Sequence, residues 1–481
     1  MSIVDSLADG DSLHRKKGDG VMQRHLEEQP TVSERFADFL AALTPDALPK
    51  SVTDIVTRNL IDATGLIVAA RNTDYVAQVL ASCDSRGPCT AIGHDQQLDA
   101  AGAALVNGIA IHGEDFDDTL EGAPIRVGAM VIPAVLAAAE RFDLDGRQTQ
   151  LGIAAGLEAV CRLNYVAAGH MHRAGFHPVS VIGTLGAAAG VSVALGLNRD
   201  QITWAFGIAA SFSSGIIEYL TDGAWTKRLH PGWAAQSGLK AALIAQQDFF
   251  GPRTAFDGGH NFFKTFAPTA TPDYSHITDG LGEDWYMTRI VFKPYACGTM
   301  IHPYIDCARR LAADGIKAEQ IESILCDTGE GLVHRLWEPL AAKHRPPSGY
   351  AAKFSMPFCM AVGFYEDDAG LAQFEDAKVH DPKLLALAAK ISYRIDPKNE
   401  YPRNYTGDLR VTLTSGEVHT YHQPHMRGGQ HEPLTDAEIM TKFRANIAHG
   451  GWSLQQGKAL CDFVKGLAEV PDLKGLSAFA S

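Results

Sequence analysis

The chain has 481 residues, 46% of them hydrophobic, too many for one ordinary core and too apolar for a disordered polypeptide, so two domains are expected. A formal net charge of −14 argues against nucleic acid and anionic membrane surfaces as partners, and any anionic ligand must be drawn into a locally positive pocket. No stretch reaches the ~18 uninterrupted apolar residues that a membrane span requires, and the first thirty residues lack the apolar core of a signal peptide and read as a mobile tail.

From about 31 to 275 the chain reads as helical almost throughout, with runs at 52–71, 99–111, 129–142, 148–165, 180–196, 200–212 and 232–248. Ser51 is placed to cap the first of these. Small residues such as those of Gly183–Gly190 let helix axes approach closely, as a compact buried core requires. Near 285 the texture changes: Ile290–Phe292 and Ile321–Cys326 look like short strands, and Leu409–Tyr421 alternates with period two around Ser415-Gly416, a hairpin pattern. Helices at 301–313, 351–365 and 383–391 interleave with them, and Thr435 with Glu438 forms a capping box that opens a final helical segment. The expected architecture is mainly α: a tail at 1–30, a helical domain of 31–280 and 432–481, and a smaller α+β domain inserted at 281–431. The eight cysteines, Cys83, Cys89, Cys161, Cys297, Cys307, Cys326, Cys359 and Cys461, form no C-x-x-C pair, so reduced thiols in a cytoplasmic protein are expected.

Chemistry-bearing residues gather in a few places. The apolar run before residue 112 ends in His112-Gly-Glu114-Asp115-Phe-Asp117-Asp118-Thr119, and four carboxylates in five residues are costly to bury without cations, hydrogen bonds or shared protons. His177 stands at a helix entrance as an acid/base candidate; a metal site of His170, His172 and His177 has no third ligand at a familiar spacing. Thr226, Lys227, Arg228 and His230 bring three potentially cationic side chains to the approach of a helix at 232, a candidate anion cradle. Lys293-x-Tyr-x-Cys297 with His302-Pro, and Tyr350-Ala-Ala-Lys353-Phe-Ser355, are polar signatures that lead into helices.

In this order the segments resemble the MmgE/PrpD family, which includes 2-methylcitrate dehydratases, cis-aconitate decarboxylases and iminodisuccinate epimerases, over roughly residues 31–470. The resemblance implies a large helical domain, a smaller α+β domain, a site between them, a homodimer, and no metal or organic cofactor. It places Asp115, His177, Lys227 and Tyr350 in catalysis, with His112, Thr119, Arg126, Thr226, Arg228, His230, Cys297, His302, Lys353 and Ser355 around a small carboxylate. Relatives usually carry a histidine shortly after the acidic motif; here Arg126 stands there, unable to act as a general acid or base but suited to grip a carboxylate. The chemistry shared by these relatives is proton transfer at carbon next to a carboxylate. His177 is expected to be the base, with Asp115, protonated by its crowded neighbours, or Tyr350 as the acid. Dehydration of the 2-methylcitrate type leads; decarboxylation and epimerisation use the same parts. A magnesium-dependent diphosphate enzyme reading Asp115-Phe-Asp-Asp118 as its metal motif, and a non-catalytic carboxylate-binding relative, are the competitors from other classes.

Overall fold

The computed structural model describes residues 29–366 and 368–481, so residues 1–28 of the expected tail lie outside the described residues. Helices of eight residues or more are α1 (Val32–Ala42), α2 (Lys50–Ala70), α3 (Asp74–Ala81), α4 (Ala100–His112), α5 (Gly128–Phe142), α6 (Gly146–Val166), α7 (Pro178–Ala194), α8 (Arg199–Phe212), α9 (Thr226–Ala245), α10 (His302–Ala313), α11 (Met356–Tyr365), α12 (Asp436–His449) and α13 (Leu454–Lys465). The strands are β1 (Cys89–Thr90), β2 (Gln97–Leu98), β3 (Thr119–Leu120), β4 (Ile290–Val291), β5 (Ile321–Thr328), β6 (Ile391–Ile395), β7 (Gly407–Leu413) and β8 (Val418–Gln423). The protein is thus mainly helical, with its largest sheet in the second half.

All 17 residues of α7 are buried, and α7 packs against α5, α6, α8 and α9. A helix without a polar face belongs at the centre of a bundle. Where α4 crosses α9, a Cβ on Gly232 would meet the Leu105 carbonyl oxygen at 2.2 Å and one on Gly108 the Gly232 Cα at 2.8 Å. Only glycine permits that approach, and it sets the end of α4 beside the beginning of α9, where the acidic and cationic motifs meet.

The expected helices are present, with instructive differences at their ends. Pro49, not Ser51, precedes α2; Ser51 lies within the helix. α9 begins at Thr226 and runs through Pro231, so Thr226, Lys227 and Arg228 form its first turn instead of a loop before it. Pro231, the sixth residue of α9, has no N–H to donate to the Lys227 carbonyl, so the helix runs past it with one hydrogen bond fewer. The helix expected over 351–365 is divided into a turn at Gly349–Ala352 and α11, because Ser355 caps α11 by accepting from the Phe358 amide at 3.1 Å. The helix expected to reach 391 ends at Ala388, and Ile391–Ile395 is a strand whose β-branched and aromatic residues the apolar run before it conceals.

The four-stranded sheet has the order β6-β5-β7-β8, with β5 and β6 parallel and the other pairs antiparallel. One face is covered by α10, which packs on β7 and β8 and carries α11. Ile290–Val291 does not join it: Leu120 pairs with Ile290 and Thr119 with Val291, which ties the residues after the acidic loop to the segment holding Lys293. The Thr435–Glu438 capping box opens α12 as expected, and α12 and α13 both return to α2. Among the described residues no helix is long and apolar enough to cross a membrane.

Candidate active site

Residues 113–118 are held by their backbone as much as by their side chains. The Gly113 carbonyl accepts from Arg228 Nε at 3.0 Å, that of Glu114 from Lys353 at 2.8 Å, that of Asp115 from Lys293, that of Phe116 from Lys442 at 2.7 Å and that of Asp118 from Arg126 at 3.2 Å. Five cations from five separate stretches of chain therefore converge on one short turn. At its centre Asp115 adopts a left-handed φ of 56°, a conformation that costs a side-chain-bearing residue energy unless its surroundings fix it. The surroundings are cationic: its carboxylate meets Lys227 at 2.9 Å, Arg126 at 3.0 Å and Lys293 at 3.3 Å.

These contacts sort the acids into two groups. Burial alone would raise all of them. For Asp115 the cations Lys227, Lys293 and Arg126 override burial and hold the carboxyl well below its usual range, so the expected role of Asp115 as a protonated acid is not compatible with its surroundings. Asp117 is likewise lowered, by His112 and Arg126, and Glu114 by Lys353, which reaches it at 2.5 Å. Asp118 goes the other way: burial and the neighbouring Asp117 push it up to about 7, although it accepts the Val127 and Gly128 amides at 2.8 Å each, at the start of α5. Burial pushes Lys293 down to about 8 against the pull of Asp115.

Facing this turn is a cluster of imidazoles. His177 precedes α7, fixed by its amide donating to the Gly215 carbonyl at 2.9 Å. Its Nδ1 lies 2.8 Å from Nδ1 of His230, and the His112 and Tyr219 rings stand 6.1 and 5.5 Å away. Burial, then His230, His112 and Lys227, depress His177 well below the ordinary histidine value, and His230 falls to about 4 by burial and the nearness of His112. Both rings are therefore neutral near pH 7. His112 points Nδ1 at Asp117, 2.9 Å away, leaving its buried Nε2 without a partner.

The fourteen expected site residues divide by position. Asp115, His112, His177, Lys227, Arg228, His230, Tyr350 and Lys353 come together around the acidic turn, with the Tyr350 ring 4.1 Å from the Arg228 guanidinium. Arg126 reaches it too, but its nitrogens are already engaged by Asp115, Asp117 and the Asp118 carbonyl, which leaves no fork for a substrate. Thr119, in β3, donates to the Ile125 carbonyl at 3.3 Å, and Ser355 both caps α11 and donates to the Lys343 carbonyl. Cys297 and His302 lie behind Lys293, fully buried, with His302 Nε2 3.4 Å from the Cys297 carbonyl oxygen. Thr226 is exposed at the first position of α9.

Sequence reasoning passed over Lys293, Lys442, Asp117 and Tyr75. Lys293 was visible in the Lys-x-Tyr-x-Cys pattern, but Lys442 had no local signal: it lies in α12, bonded to Asp62 at 2.7 Å, and meets the turn only through the return of the chain. His112, Asp115 and Asp117 also bring ligand-type atoms within 4.8 Å of one another. Their charge is already balanced by Arg126, Lys227 and Lys293, so a divalent ion there would have to displace bonded cations. The same contacts leave Asp115-Phe-Asp-Asp118 unsuited to hold magnesium for a diphosphate. Of the three upstream histidines, His170 bonds Thr269 at 3.0 Å while His177 is turned to His230, so they form no common site.

A helical body with a smaller sheet-bearing part thus surrounds a buried, cation-rich turn. The chain belongs to the MmgE/PrpD family: it matches the MmgE/PrpD N-terminal domain over residues 34–275 and the C-terminal domain over 295–460. It is 27% identical to the cis-aconitate decarboxylase of Mus musculus, over 87% of each chain. It is 26% identical to that of Homo sapiens, over 93% of this chain and 94% of that one. A cis-aconitate decarboxylase-like protein of Aspergillus oryzae is 25% identical, over 86% of this chain and 90% of its own.

Proposed function

We propose that this protein is a lyase that removes carbon dioxide from a small unsaturated tricarboxylate of the cis-aconitate type. The observation that carries the reading is the charge balance of the turn. Arg126, Lys227, Arg228, Lys293, Lys353 and Lys442 surround it, against the carboxyls of Glu114, Asp115 and Asp117, which are held low, of Asp62, which burial raises and Lys442 pairs, and of Asp118, which burial pushes up to about 7. A surplus of buried positive charge stabilises an anion, and in a protein of net charge −14 it is local. Among reactions that share these parts, the names of the relatives favour decarboxylation over 2-methylcitrate dehydration.

In decarboxylation the bond between a carbon and its carboxylate breaks, carbon dioxide leaves, and the electron pair stays on the unsaturated framework until a proton closes the site. Pre-placed cations lower the energy of that carbanion-like charge. His177, neutral in the free protein, suits the proton transfer: incoming carboxylates offset the positive field of Lys227, favour the imidazolium and so load the ring with the proton it hands to carbon. The test is incubation with cis-aconitate, 2-methylcitrate and amino-dicarboxylates in deuterated, chelator-treated buffer, read by NMR. Carbon dioxide release with one deuterium in the product supports the reading. Loss of water instead, or exchange without net conversion, transfers the assignment to dehydration or epimerisation, and turnover only after adding a divalent ion overturns the metal-free scheme.

A further inference from the structure

Arg228 is the one arginine of the turn whose fork is open. Its Nε is spent on the Gly113 carbonyl, and its Cζ lies 4.1 Å from the Tyr350 ring, 4.5 Å from Tyr75 and 5.8 Å from Trp225. Its two terminal nitrogens have no hydrogen-bond partner among the described residues, although the residue is only 9% exposed. The Glu114 carboxylate feels its charge but makes no hydrogen bond to it, and the aromatic faces offset only part of the cost of partly burying a guanidinium. The arrangement resembles a waiting grip: one bond and the flanking rings fix the guanidinium plane, and the two nitrogens that make parallel bonds to a carboxylate stay free. Lys227, its neighbour at the head of α9, is half-buried and bonded to Asp115, so a ligand held by Arg228 lies next to the charged turn.

We infer that Arg228, not Arg126, is the specificity-determining residue that takes one carboxylate of the ligand in a two-toothed grip, with Tyr75 and Tyr350 fixing its plane. The inference rests on the reading of the site as a carboxylate site. Propane-1,2,3-tricarboxylate, which has no double bond, serves as a binding probe, with the fluorescence of Trp225, 45% exposed, as the signal. Arg228→Gln is expected to weaken its binding about 10- to 100-fold, the loss of a charge-assisted contact, and Arg228→Lys to weaken it less. Glutarate and methylsuccinate each lack one carboxylate of the probe. The one that lacks the gripped carboxylate is expected to bind wild type and Arg228→Gln alike, a difference that general damage to the site does not produce. Equal binding of the tricarboxylate by wild type and both variants, or equal weakening for all three ligands, overturns the inference and leaves the carboxylate site standing. Failure of the wild type to bind any of the three overturns both.

Discussion

Two regions of this molecule hold similar ion pairs in opposite surroundings. In the acidic turn, Asp115 is 3% exposed at its side chain and bound by three cations; on the open face of the sheet, Asp327 pairs with Arg394, whose side chains are 29% and 61% exposed. A histidine–aspartate pair occurs in each as well, His112 with Asp117 at 2.9 Å and His422 with Asp408 at 2.6 Å. Geometry is nearly the same, but water is not. On the sheet, solvent screens each charge and the pairs neither select a conformation nor shift reactivity. In the turn, every charge depends on its neighbours, so the same kinds of bond fix a strained backbone and decide which acids are ionised.

The comparison breaks first at Asp115. Asp115→Asn leaves Lys227, Lys293 and Arg126 buried without their common counter-charge, and removal of one partner from a buried pair costs about 3–5 kcal/mol. Chemical denaturation should show that loss, together with loss of turnover. A near-normal denaturation midpoint would show that water reaches the turn.

His177→Asn comes next and acts on rate rather than stability. The fold is expected to survive, since the backbone bond to Gly215 remains, while kcat falls about 10²-fold or more, as for a general acid–base group. Retained kcat in that variant moves the proton transfer to Lys293, the cation pushed nearest neutrality at about 8.

These two residues also show what was legible before the fold was known. The helical body and the hairpin of β7 and β8 follow from local patterns, because periodicity and short motifs are local, whereas the union of Asp115, His177 and Lys227 was implied only by the family resemblance. Three features are not local. Arg126 was suited by chemistry to bind a carboxylate, but Asp115 and Asp117 already occupy it, a fact of three-dimensional pairing. Asp115 was expected to be protonated by like charges nearby, yet the cations that reverse the sign come from α9 and from beyond β4. Lys442 reaches Phe116 across 326 positions of chain, which no spacing rule anticipates.

A smaller effect, in pH, sharpens the contrast. His230 has a folded-state value of about 4 against an ordinary 6.5, so between these limits the unfolded chain binds more protons than the folded one. Folding stability from this group therefore rises with pH through that window and is lost as pH falls below about 6.5. Asp118 and Glu140, each pushed up to about 7, act in the opposite direction, since their contribution is present at low pH and lost as pH rises through that value. Comparing wild type with His230→Gln separates the two: the variant is less stable at pH 7, having lost the bond to His177, and the gap should narrow on acidification to pH 4.5. A gap constant with pH would mean that His230 takes up its proton as readily in the folded protein as in the unfolded chain.

The smallest expected effect lies on the sheet. Asp327→Asn removes the partner of Arg394, which extends into solvent and is rehydrated in place. Asp327 stands on the central strand β5, opposite Arg394 of β6 and Asp408 of β7, so its backbone remains bonded on both sides whatever its side chain does. No resolvable change in denaturation midpoint or kcat is expected, and the same null result should hold at low and high salt. A clear loss of stability that high salt abolishes would show that this exposed network, like the buried turn, is held by mutual dependence, and burial would no longer explain the difference between the two regions.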